Sequence, residues 1–272
     1  MRKELLLPSL AVVGGGVGLA LRRWHLQSAF EPDTRLPIAG QPATVALLAF
    51  SVVMALLLAL LIGRVHRIFD GKEPAFPAKG SFPVLLCLVA AGGLTAISGV
   101  SVLLLQLRGE FNVIRMVQGA LCILAAVAFL AMGRSYYRGG APSASSVLPL
   151  LPGYAACFWL MASYQVWSKD PVISDYVCFL FALVFSAMSY YFIASFSFGK
   201  SPVFATCLTG LMGVYFAIMT MADGHNLTDL LLLLALILYL LPHLFILIGR
   251  DSAPFPDSQP DGNSDHPIKE DA

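Results

Sequence analysis

The chain has 272 residues, of which 58% are hydrophobic and only 12% charged, with a formal net charge of +1. Soluble domains carry roughly a quarter charged residues, so a mean hydropathy of +0.78 excludes an ordinary water-soluble globule. The near-neutral balance, with no basic stripe interleaved with aromatics, also excludes a nucleic-acid-binding surface.

Apolar stretches that can cross about 30 Å of hydrocarbon recur at about 5–21, 43–63, 83–107, 111–133, 147–168, 171–198, 202–222 and 227–249. Each run is continuous and none alternates with period two, so the spanning form is helical and a β-barrel is excluded. The expected fold class is all-α: a polytopic integral membrane protein with eight transmembrane helices arranged as four hairpins. Residues 1–250 form the membrane domain and 251–272 a disordered cytoplasmic tail, rich in proline, serine, aspartate and glycine.

The first run follows Met1-Arg2-Lys3, as a secretion signal would. Leu21-Arg22-Arg23-Trp24-His25 stands where a small-residue cleavage site belongs, so the segment reads as a retained helix. At 1.5 Å per residue it is about 25 Å long, short for a span. Gly14-Gly15-Gly16 and Gly18 give it a small-residue face, and Gly92-Gly93, Ser98, Gly99 and Ser101 do the same for the third run. Lipid supplies little drive for apolar helices to associate, so such faces mark close helix packing.

Four later runs end in glycine followed by a basic residue: Gly63-Arg64, Gly133-Arg134, Gly199-Lys200 and Gly249-Arg250. A left-handed glycine stops a helix, and a cation suits the negative end of its dipole. Each hairpin also opens near a proline (Pro8, Pro83, Pro149, Pro202), with Ser201-Pro202 reading as a cap and first helical residue. Basic residues favour the cytoplasmic side. With the N-terminus inside, ten lysines and arginines lie on that side and six at most on the other, Lys269 aside, so both termini are expected in the cytoplasm. The loop 65–82, with Arg67, Lys72 and Lys79, is expected beside anionic headgroups of the plasma membrane.

Cys87, Cys122, Cys157, Cys178 and Cys207 all fall within spans and form no CxxC pair, so they read as buried thiols. The sixth run carries Ser186, Ser189, Tyr190 and Tyr191 near its middle, a face that suits either packing or a hydrophobic ligand. Tyr239 and His243 share a helix face and suggest an interhelical hydrogen bond.

Polar residues concentrate at the extracytoplasmic ends. Some are explained locally: Asp170-Pro171 as a cap, Asn226 with Asp229 at capping-box spacing, and Trp24, Tyr164 and Trp167 as an interfacial belt. Asp223 is different, because it stands at the end of the seventh run, where the dipole disfavours a carboxylate. It requires a cation, and Arg22, Arg23, Arg115 and His225 are the available ones. The expected ligand-binding set is therefore Arg22, Arg23, Arg115, Gln165, Asp175, Asp223 and His225.

No Walker loop, dinucleotide fingerprint or nucleophile elbow occurs, and no cofactor is implied. The leading reading is a non-enzymatic sensor or scaffold whose partners are membrane lipids, binding a lipid headgroup or small anion at its extracytoplasmic mouth. A transporter of a small or lipidic solute is the alternative. A metal-dependent intramembrane hydrolase, using His25 and His225 with Asp223, Asp175 and Asp229, is the third.

Overall fold

A computed structural model describes residues 3–31, 36–66, 81–108, 111–138, 147–169, 172–198 and 202–249. Most of the basic loop, Glu110, Asp170-Pro171, Gly199-Lys200, Ser201, Arg250 and the tail lie outside the described residues. Eight α-helices are described: α1 (Lys3–Ser28), α2 (Pro42–His66), α3 (Phe82–Arg108), α4 (Val113–Arg138), α5 (Leu151–Trp167), α6 (Ile173–Ser195), α7 (Val203–Thr220) and α8 (Leu227–Gly249). There are no strands among the described residues, only an isolated bridge between Phe30 and Pro37. Seven helices are long and apolar enough to cross a membrane; α5, at 17 residues, is the exception.

Helices α3 to α8 close into a ring in which each packs on its neighbours in sequence and α8 returns to α3. Helices α1 and α2 attach to this ring through α7. The central helix is α7, 78% of whose span is buried, against 22% for α2 at the periphery. Its packing with α1 and α6 is at least as extensive as that with α8, the helix beside it in sequence. Side-chain contacts place the C-terminal ends of α1, α3, α5 and α7 and the N-terminal ends of α4, α6 and α8 at one end of the bundle, called here the His225 end.

Small residues set the closest crossings. A Cβ on Gly99 would lie 2.9 Å from the Gly119 carbonyl oxygen, and one on Gly119 would lie 3.2 Å from that of Gly99. The α3–α4 backbones therefore touch at this point, which only glycine permits. In α1, Gly15 and Gly18 face Ile218, Met219 and Tyr215 of α7, while Gly14 faces Met54 of α2. The GxxxG pair thus serves two different neighbours.

Three expectations about helix ends are corrected. Helix α1 continues to Ser28 instead of stopping at Leu21, because Leu, Arg and Gln are good helix formers and Arg22 finds a carboxylate inside the protein. Gly63 and Gly133 terminate nothing, since α2 runs on to His66 and α4 to Arg138. Gly133 instead admits Leu85 and Leu88 of α3, and the positive φ of 75° among the described glycines belongs to Gly40, ahead of α2. Pro8 sits inside α1, and Pro202 is itself the cap of α7.

Candidate functional site

The His225 end carries two arginine-containing regions of opposite character. The first is a closed ionic cluster. Arg22, on the last turns of α1, is completely buried (0% exposed). Its Nε donates to Asp223 Oδ1 at 2.7 Å, its Nη1 to His25 Nδ1 at 3.1 Å, and its Nη2 to the Asp175 carbonyl in the first turn of α6. Thr220 Oγ1 donates to the other Asp223 oxygen at 2.7 Å. With that proton spent, the 3.0 Å contact between Thr220 Oγ1 and His225 Nε2 has the imidazole as donor. His225 lies over the Phe179 ring at 4.4 Å. Burial pushes its imidazole below the ordinary value of 6.5, against the raising effect of Asp223 and Asp229, so it is neutral at physiological pH.

This cluster answers the question posed by Asp223. Its cation is Arg22, 201 residues earlier in the chain. A guanidinium with three directional partners and a carboxylate with two is a satisfied buried pair, and breaking one member costs far more than the pair stabilises. Among the described residues its donors and its charge are matched internally.

The second region is a groove of about 520 Å³ between the end of α3, the start of α4 and the start of α8. Arg108 and Arg115 line it with Gln106 and Asn226, above apolar walls that include Leu104 and Leu105. Neither arginine has an ion-pair partner among the described residues. Asn112 caps the start of α4 by accepting from the Ile114 and Arg115 amides, and its own amide N–H is bonded to Gln106 Oε1. Arg115 is therefore fixed in the first turn of α4.

The expected ligand-binding set divides accordingly. Arg22, Asp223, His225 and the Asp175 backbone meet in the closed cluster, joined by His25. Arg115 lines the separate groove. Arg23 is exposed, and Gln165 is exposed and bonded to Asn112 Nδ2 at 3.4 Å.

Several participants were not foreseen. Thr220 orients Asp223 through a hydroxyl that reads in sequence as an ordinary helix-end threonine. Asp229, read as a capping residue, is buried and accepts from Trp159 Nε1 of α5 at 2.8 Å. Arg108, at the end of α3, lines the groove. Among the described residues no group of three or more histidine, cysteine or carboxylate side chains can hold a metal ion. At the expected position of such a centre, the Arg22 guanidinium stands between His25 and Asp223. The hydroxyls of Ser186 and Ser189 turn back to carbonyls of their own helix, at 2.6–2.8 Å. His243 Nδ1 meets the Tyr239 carbonyl, and its Nε2 lies 3.4 Å from Tyr136 of α4, so the interhelical contact runs through His243.

Comparison with protein-family models, with curated proteins and with solved structures yields no match to this chain.

Proposed function

We propose that this chain is a non-enzymatic sensor or scaffold of the plasma membrane that binds an anionic lipid headgroup or a small anion. The carrying observation is the groove of about 520 Å³ where Arg108 and Arg115, neither with an ion-pair partner among the described residues, stand beside an apolar wall. A phosphate suits arginine's planar fork of donors, and Gln106 and Asn226 add neutral hydrogen-bonding groups. The exposed Leu104 and Leu105 suit the first methylenes of an acyl chain.

In this reading α5 completes an eighth span. A 3-10 turn at Leu148–Leu150 leads directly into it, and together they reach about 31 Å. Eight crossings put both termini on one side, and the excess of basic residues puts that side in the cytoplasm. The His225 end and its groove then face outward.

The test is the unfolding midpoint of the detergent-purified protein with phosphatidylglycerol, phosphatidylcholine or inorganic phosphate added. A ligand that binds only the folded state raises the midpoint by mass action. The expected result is a rise with phosphatidylglycerol or phosphate, lost in the Arg108→Ala/Arg115→Ala double variant. An equal response to phosphatidylcholine, or an undiminished response in the double variant, overturns the assignment.

A further inference from the structure

Within the ring, α3, α4, α5, α6 and α8 line a half-open pocket of about 30 Å³, room for a single water-sized particle. Cys122 of α4, Trp159 of α5 and Leu232 of α8 line it. One helical turn from each, toward the His225 end, stands a buried polar residue. Gln118 precedes Cys122 by four positions on α4, Ser163 follows Trp159 by four on α5, and Asp229 precedes Leu232 by three on α8. Residues so spaced share a helix face. Because α5 runs toward the His225 end while α4 and α8 run away from it, the three steps lead the same way. Three inward stripes therefore carry, toward the His225 end, an amide, a hydroxyl and a carboxylate, one turn beyond the residues that line the cavity.

All three are withdrawn from solvent, at 0%, 1% and 7% exposure. Neither Gln118 Oε1 nor Nε2 has a hydrogen-bond partner, and neither does Ser163 Oγ. Each such orphan is destabilising if left bare. Asp229 accepts from Trp159 at 2.8 Å, and no basic side chain among the described residues stands within ion-pair distance of it. The dipole of α8 helps a carboxylate in its first turn, but a buried carboxylate with no cation beside it among the described residues remains costly. What the cluster lacks is a positive charge that takes several oxygen ligands at once. A neutral water supplies hydrogen bonds and leaves the charge uncompensated.

We propose that Gln118 Oε1, Ser163 Oγ and the Asp229 carboxylate bind a dehydrated monovalent cation of sodium size at the outer end of this cavity. The site is independent of the groove, and it ties α4, α5 and α8 together through one ion. Trp159 reports its occupancy, because its indole N–H is bonded to the same carboxylate.

The experiment compares full-length protein in sodium, potassium and N-methylglucamine chlorides at fixed pH and ionic strength. It reads the unfolding midpoint and the Trp159 emission, the latter taken as the difference from Trp159→Phe. Sodium is expected to raise the midpoint and shift the emission saturably, potassium less so. Asp229→Asn abolishes both effects, and Ser163→Ala raises the half-saturating sodium concentration about tenfold, the loss of one oxygen ligand. Identical midpoints and emission in sodium and N-methylglucamine mean that water alone occupies the cluster, and overturn the proposal. An unchanged sodium response in Asp229→Asn overturns it as well. Should Asp229→Asn fail to fold, Ser163→Ala and Gln118→Leu decide: unaltered half-saturation in both overturns the site.

Discussion

Arg22 and Arg115 lie at the same end of the same bundle and have met opposite fates. Arg22 is fully buried with every nitrogen engaged; Arg115 is half-buried on an open groove with no carboxylate beside it among the described residues. The difference lies in what reaches them. Asp223, Thr220 and the start of α6 converge on Arg22, so its charge is neutralised and its fork of donors used up inside the protein. The groove that Arg115 shares with Arg108 is otherwise lined by amides, hydroxyls and aliphatic side chains, and no carboxylate among the described residues cancels the charge. A guanidinium that is matched internally makes structure, and one that is left unmatched at a rim keeps its capacity to bind.

That contrast can be broken most severely at Asp223. Asp223→Ala leaves Arg22 buried and unpaired, and is expected to cost about 3–5 kcal/mol in an equilibrium unfolding titration in mixed micelles. A loss under about 1 kcal/mol would mean that the arginine escapes to solvent and the cluster is not closed.

A smaller effect comes from pH. The folded-state pKa of His225 is lowered, so the unfolded chain binds the proton first as pH falls. Stability is complete above pH 6.5, the ordinary histidine value, and declines as the pH drops below it toward the folded value. Midpoints measured from pH 8 to pH 5 should fall, and His225→Asn should remove the part of that slope owed to this residue. A midpoint that rises on acidification would contradict the neutral, desolvated imidazole.

The smallest structural effect belongs to the groove. Arg115→Ala in lipid-free detergent should change stability by no more than about 0.5 kcal/mol, since the side chain holds nothing together. It should nevertheless weaken phosphatidylglycerol binding measured by native mass spectrometry. A large destabilisation by Arg115→Ala would place it with Arg22 as a structural residue and erase the distinction.

Much of the helical architecture is legible in composition alone, because each span must be continuously apolar and satisfy its own backbone. The limits of α8, 227–249, coincide with the apolar run. Helix ends marked by charge were less legible. The Arg22-Arg23 pair reads as the edge of a membrane segment, yet α1 carries Arg22 into the protein because a partner 201 residues away awaits it. A single sequence shows that Asp223 needs a cation and offers no distance by which to choose among the arginines. Asp229 was incompletely legible for a related reason: its place in the first turn of α8 is local, whereas its bond to Trp159 crosses between helices. Nothing in the sequence sets Gln118 apart, and its complete burial depends on how α4 is rotated within the ring.

The backbone contact between Gly99 and Gly119 has a mechanical consequence for the groove. Two helices that touch at one point behave as arms on a fulcrum. Arg108 rides on α3 nine residues beyond it, a lever of about 14 Å, while Arg115 rides on α4 only one turn away. The gap between the two guanidinium groups is thus gauged by the thickness of a glycine pair, and a single methyl group wedged there would be magnified at the tips.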